Sequence, residues 1–136
     1  MTEYDDWNRR VADEFRANGG KVAQFEGRPL LLLHHTGAKT GTERVNPLVY
    51  LPVGEGFAVF GSKAGADTNP AWYHNLRAHP DTTIEVGTET LPVHARVAEG
   101  EERERLWRMM NGIWRYYDDY QSRTDREIPV VVLERL

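Results

Sequence analysis

The sequence predicts an α+β domain in which a mostly antiparallel sheet of about six short strands curls into a barrel. Three observations predict it. Short apolar runs bounded by Gly and Pro recur along the chain. Helical periodicity is confined to a segment at the start, one in the middle and one late. Two strand-like runs flank Gly87-Thr88-Glu89 and pair naturally as a hairpin. A chain of 136 residues suits one domain, spanning 1–136, with one sizeable core.

Tyr4, Trp7, Val11 and Phe15 recur at helical spacing until Gly19-Gly20 stops the pattern, so the chain opens on an amphipathic helix. Pro29 to His35 reads as a buried strand, and Thr36 to Thr42 as a turn. Arg44 to Val53 reads as a second strand. Pro47 and Pro52 place it at an edge or require a bulge, because neither can donate to a ladder. Gly54-Glu55-Gly56 turns into a third strand, Phe57 to Phe60, giving a meander of three. After a loop over 61–68, Asn69 is expected to cap a helix with Pro70 at its first position, which Pro80 ends. Thr82 to Val86 and Thr90 to Val97 form the hairpin. Gly100 to about Trp114 is a charged helix with Leu106, Met109, Met110 and Ile113 inward. A polar aromatic stretch, Tyr116 to Asp125, then leads to a last strand, Ile128 to Leu133.

Composition narrows the function classes. A net charge of -4 gives no electrostatic reason to bind nucleic acid. The absence of cysteine removes disulfides, thiolate nucleophiles and cysteine-bound metal clusters together. No apolar run approaches the roughly 18–20 residues of a membrane span, and Met1 to Arg10 lacks the apolar core of a signal peptide, so a cytoplasmic protein is expected.

Of fourteen arginines and three lysines, two lysines stand in Gly-flanked loops. In Gly37-Ala38-Lys39-Thr40-Gly41, followed by Arg44, turn N–H groups and the side chains of Lys39, Thr40 and Arg44 can hold an anion such as a phosphate; a solvated hairpin is the alternative. It is not a P-loop, since the glycine spacing differs and no helix follows. Gly61-Ser62-Lys63-Ala64-Gly65-Ala66 precedes the middle helix and can offer a second set of donors, or serve only as a connector. Trp114, Tyr116, Tyr117 and Tyr120 can line a pocket for a flat ligand or simply pack, and Trp72 on the middle helix is expected to be buried. His34 and His35, adjacent on a strand, point to opposite faces, and no histidine pair shows ligand spacing with a carboxylate, so no metal site is expected. Ser62 and Ser122 lack a nucleophile-elbow pattern.

Taken in order, Thr36 to Gly41, Arg44-Val45-Asn46-Pro47-Leu48, Gly61 to Gly65, Asn69-Pro70-Ala71-Trp72-Tyr73-His74-Asn75-Leu76 and the tail Tyr117 to Val130 resemble the deazaflavin-dependent nitroreductases of actinobacteria, from about Leu30 to Leu133. The resemblance implies a split β-barrel that binds coenzyme F420, an 8-hydroxy-5-deazaflavin hydride carrier. It implies that Lys39, Thr40 and Arg44 hold the coenzyme's phosphate and acidic tail. Asn46 and Pro47 would flank the ring system, with Ser62, Lys63 and Gly65 at the ring or ribityl part, and Trp72 and Asn75 completing the cleft. Tyr117 and Tyr120 would line the acceptor side, where the hydroxyl of Ser62 or Tyr120 donates a hydrogen bond or proton as charge develops on the acceptor. Two departures bear on the acceptor pocket: Trp114 stands where relatives commonly carry a third tyrosine, and Val49 where an aromatic is often found. Glu3 to Arg16 carries five acids against three arginines, a poor match to an anionic membrane surface.

The function expected is therefore hydride transfer from reduced F420 to a small flat acceptor (a quinone, an enone or a nitroaromatic), in a monomer or homodimer. Two alternatives stand beside it: a non-catalytic split-barrel module for a cofactor or lipid-like ligand, and a flavin-mononucleotide oxidase of the pyridoxamine-phosphate-oxidase type.

Overall fold

A computed structural model describes residues 3–25, 28–113 and 116–136. Its helices are α1 (Glu3–Ala17), α2 (Ala71–Ala78), α3 (Gly100–Ile113) and α4 (Tyr116–Ser122). Its strands are β1 (Leu30–Thr36), β2 (Glu43–Val49), β3 (Leu51–Val53), β4 (Gly56–Phe60), β5 (Asp81–Val86), β6 (Glu89–Val97) and β7 (Val130–Arg135). They form one sheet in the order β2-β1-β5-β6-β7-β4-β3, with every pairing antiparallel.

The two edges of this sheet are consecutive in the chain. Only Tyr50 separates β2 at one edge from β3 at the other, so the sheet must curl until its ends meet. That closes the barrel. The predicted second strand is this β2–β3 segment, split at Tyr50, whose N–H leaves the ladder and donates to Pro29 O at 3.0 Å. Pro47 and Pro52 are tolerated because β2 pairs only with β1, and β3 only with β4.

Strand alternation gives the sheet two apolar faces. Leu31, Leu33, Val59, Ile84, Val93 and Leu133 fill the interior, and Trp72 and Leu76 of α2 pack into the same core. On the outside, Val11 and Phe15 of α1 cover Leu30 and Leu32. Leu106, Trp107 and Met110 of α3 cover Phe60, Val130 and Val132.

Five expectations need correction. The inward face of α3 is Arg103, Leu106, Trp107 and Met110, while Met109 and Ile113 are exposed at 46% and 57%; the helix is turned to bury the larger indole. Asn69 does not cap α2. Pro70 is the N-cap without a side-chain bond, because Asn69 Oδ1 is held by Arg126 Nη1 at 2.8 Å. The hairpin turn is two residues, Gly87-Thr88, with Val86 paired to Glu89 and Gly87 at φ +60°, a position that favours glycine. The last strand starts at Val130, since Pro129 has no N–H and Ile128 N–H donates to Gln121 Oε1 at 2.9 Å. Within the Tyr116–Asp125 stretch lies α4, where Trp107 Nε1 donates to Asp118 Oδ1 (2.8 Å) and Asp118 N–H to Asn111 Oδ1 (2.9 Å). Among the described residues no helix is long and apolar enough to cross a membrane.

Candidate functional site

Residues opposed on an antiparallel ladder share a face, so the registers His35↔Arg44 and Leu33↔Asn46 bring His35, Arg44 and Asn46 together above the barrel interior. Helix α2 adds Asn75. Three buried polar side chains result, with His35 only 3% exposed. They are linked in a chain: Ala38 N–H donates to Asn75 Oδ1 (2.9 Å), Asn75 Nδ2 donates to His35 Nδ1 (2.9 Å), and His35 Nε2–H donates to Asn46 Oδ1 (2.7 Å). An amide N–H on one side and an amide oxygen on the other define the neutral Nε2–H tautomer. Burial favours that form as well, lowering the His35 pKa; the Asn46 bond opposes the shift, and Arg44 and His34 add to it. As expected of neighbours on a strand, His34 faces outward, where its Nε2 meets Glu85 Oε2 at 2.7 Å.

The first lysine-bearing turn is tied down at its base. Gly37 N–H donates to Thr42 O (2.8 Å), Gly41 N–H to Gly37 O (2.9 Å), and Ala38 N–H to Asn75 as above. Lys39, Thr40 and Arg44 are exposed on it.

The second loop is held from outside by one side chain. Arg126 Nε donates to Ala66 O (2.8 Å), Nη1 to Gly61 O (3.1 Å) and Asn69 Oδ1 (2.8 Å), and Nη2 to Ser62 O (2.9 Å). Lys63, in the 3₁₀ turn Lys63–Gly65, has φ +45°, a left-handed conformation that costs energy in a residue with a Cβ. Its ammonium donates to Thr68 Oγ1 at 3.2 Å. Gly65 has φ +81°, and a Cβ there would stand 2.8 Å from Tyr120 O, so α4 docks directly on this turn.

Between α1, the β1–β2 hairpin and the start of α2 lies a cleft of about 620 Å³. Arg44, Asn46, Lys63 and Trp72, all singled out in the sequence, line it. Asn75 reaches it through His35, and Lys39 and Thr40 stand in the adjoining turn. Ser62 and Gly65 flank Lys63, and Ser62 is half-buried. Pro47 turns to the opposite face of β2 from Asn46, since it opposes Leu32 in the cluster beneath α1. Tyr117 and Tyr120 pack together at 5.7 Å on α4, and Tyr117 also meets Phe60 and Trp107. Burial pushes the Tyr117 phenol up to about 12, with Tyr120 adding to the shift and Arg28 opposing it. Trp114 lies outside the described residues.

Sequence reasoning missed the contribution of α1. Asn8, Arg9, Ala12, Asp13 and Arg16 form one wall of the cleft, and His35 lies at its base. The available signal was Asn8, a carboxamide on the same helical stripe as Tyr4, Val11 and Phe15. It is 7% exposed, and its Oδ1 has no hydrogen-bond partner among the described residues. Arg16 is paired with Glu85 (2.8 and 3.0 Å), and three further cations, Arg9, Arg44 and Lys63, against Asp13 make the lining positive.

The family model for F420H(2)-dependent quinone reductases matches residues 7–135. The chain belongs to this family. An F420H(2)-dependent quinone reductase of Mycobacterium tuberculosis is 41% identical over 126 residues, covering 89% of this chain and 85% of that protein. A solved F420-H2 dependent reductase is 40% identical with a TM-score of 0.72, over 79% of this chain and 95% of that one. A second solved relative, described as a domain-swapped dimer, is 36% identical with a TM-score of 0.74, over 95% of this chain and 98% of that one. As a member of the F420H(2)-dependent quinone reductases, the protein is an F420-dependent oxidoreductase of quinones in a split-barrel fold, and its cofactor is coenzyme F420. The residues present fit that group. The cleft pairs an apolar wall of Ala12, Val45, Pro70, Ala71 and Trp72 with guanidinium and ammonium donors, matching a flat ring that carries an anionic tail.

Proposed function

We propose that the cleft between α1, the β1–β2 hairpin and α2 is where the coenzyme binds, and that a quinone is reduced beside it. The observation that carries this reading is the division of the lining into an apolar wall and a positive rim within one 620 Å³ space. Lys39, Thr40 and Arg44 would hold the phosphate and acidic tail. Lys63 and Asn46 would contact the ring or ribityl part, Ser62 and Gly65 would frame that contact, and Trp72 would close the cleft from the core side. Pro47 would act from behind, by fixing the backbone at Asn46. Bound in reduced form, F420 supplies the hydride.

The protein's own task is orientation, exclusion of water and delivery of one proton, since a quinone becomes a hydroquinone by gaining one hydride, which carries both electrons, and one proton from an acid. Ser62 or Tyr120 would offer the hydroxyl that stabilises the developing negative charge. Tyr117, held firmly in its phenol form, would back Tyr120 and line the acceptor side with it. The domain-swapped relative supports a homodimer for this chain over a monomer.

The test is a parallel titration of the purified protein with oxidised F420 and with flavin mononucleotide, followed by steady-state turnover of reduced F420 with a water-soluble quinone. Saturable binding of the deazaflavin alone, weakened by Arg44→Ala and Lys63→Ala, is expected. Binding unaffected by either substitution would move the site elsewhere.

A further inference from the structure

Asn8 stands apart from the rest of the cleft lining. Its neighbours on the stripe, Val11 and Phe15, are apolar and pack beneath α1, as the inward face of an amphipathic helix should. Asn8 is buried to the same degree yet carries an amide, and its Oδ1 accepts no hydrogen bond among the described residues. A buried acceptor left in that state is costly, and a native chain rarely keeps one without a reason. Leucine at this position would extend the apolar stripe without the penalty. The same side chain lines the cleft, within the set that includes His35, Asn46 and Trp72.

We infer that Asn8 is a coenzyme-binding residue, its Oδ1 accepting a hydrogen bond from an N–H or O–H donor of bound F420. The chemistry of the two ligands decides between them. An oxidised quinone offers carbonyl oxygens, which are acceptors and cannot satisfy another acceptor. A deazaflavin offers an imide N–H, a ring hydroxyl and ribityl hydroxyls. Asn8 thus serves coenzyme recognition, on the wall opposite the lysine-bearing loops, and draws α1 into the site. The inference rests on the cleft being the coenzyme site.

The experiment compares the wild type with Asn8→Leu and Asn8→Ala by fluorescence titration with oxidised F420 and by thermal melts without ligand. Loss of one ligand hydrogen bond in a dry site should raise Kd about tenfold in both variants. Melting of unliganded Asn8→Leu should be unchanged or higher, since the unpaired acceptor is gone; a purely structural asparagine would instead give a lower melting point. KM for the quinone should stay within about twofold, in keeping with recognition on the coenzyme side. Equal Kd in the wild type and both variants, or a lower Asn8→Leu melting point with unchanged Kd, would overturn the inference while leaving the cleft as the coenzyme site. Failure of the wild type to bind F420 would overturn the assignment of the site itself.

Discussion

Replacing Arg126 by leucine removes four hydrogen bonds with one substitution, all of them to the loop that carries Ser62 and Lys63. Among the described residues no carboxylate bonds this guanidinium, and burial lowers its pKa, with Asp67 opposing. Its stabilising role therefore rests on neutral acceptors. Ala66 and Ser62 are half-buried, so their carbonyls can recover water at a cost of about 0.5–1 kcal/mol each. Gly61 is buried, and its carbonyl left unpaired costs about 1–3 kcal/mol. These three carbonyls total about 2–5 kcal/mol, or a fall in Tm of roughly 7–18 °C for a domain of this size. Arg126→Lys keeps the charge but not the fork, and should lose most of the same stability. Because the loop holds Lys63 in a left-handed conformation, coenzyme affinity should fall with stability. Differential scanning calorimetry and F420 titration read the two effects. A Tm within about 2 °C of wild type for Arg126→Leu would show that the loop holds itself, and the reasoning would be wrong.

Two further outcomes follow from the docking of α4. Gly65→Ala forces a Cβ against Tyr120 O and Arg123 at a left-handed backbone position, so it should destabilise the fold by more than about 1 kcal/mol and displace the α4 tyrosines, measurable by denaturant melts and near-ultraviolet circular dichroism. Tyr117→Phe keeps the ring contacts with Phe60, Trp107 and Tyr120, so stability should change by less than about 1 kcal/mol, and quinone turnover should be retained within a few-fold if Ser62 or Tyr120 is the proton donor.

Much of the fold was legible because its signals were local. The stripe on α1, its Gly stop, the β5–β6 hairpin and the prolines of an edge strand each follow from neighbouring residues. Barrel closure was less legible, since it depends on one strand segment pairing at both edges of the sheet, and the break at Tyr50 shows only in the pairing. α4 was hidden because its helical pattern amounts to two aromatic residues three apart, stabilised by Trp107 and Asn111 on another helix. For the site, the glycine loops and basic residues were visible as sequence. The His35 chain, the Arg126 fork and the α1 wall were not, because each joins residues from distant segments.

The chain Ala38–Asn75–His35–Asn46 makes the site sensitive to acid. His35 in the folded protein takes up its proton below the value of about 6.5 that holds in an unfolded chain, chiefly because burial disfavours the imidazolium. Above pH 6.5 its contribution to stability is fully present. As pH falls from there through the folded-state pKa, the unfolded chain binds more protons than the folded one, and stability declines. The lowered carboxylates Glu85 and Glu102 lose their stabilising contributions at more acid pH, outside the upper part of this window. Protonation also has a local consequence. An N–H at Nδ1 would face Asn75 Nδ2, two donors in contact, so the Asn75 amide must turn over. Its oxygen then leaves Ala38 N–H, the bond that ties the turn carrying Lys39 and Thr40 to α2. Stability should therefore fall as pH drops below about 6.5, F420 affinity should follow at lower pH as folded His35 takes up its proton, and His35→Gln, which cannot titrate, should flatten both profiles whatever its absolute stability. Parallel pH profiles for the wild type and His35→Gln would show that the proton goes elsewhere and that this chain is a passive strut.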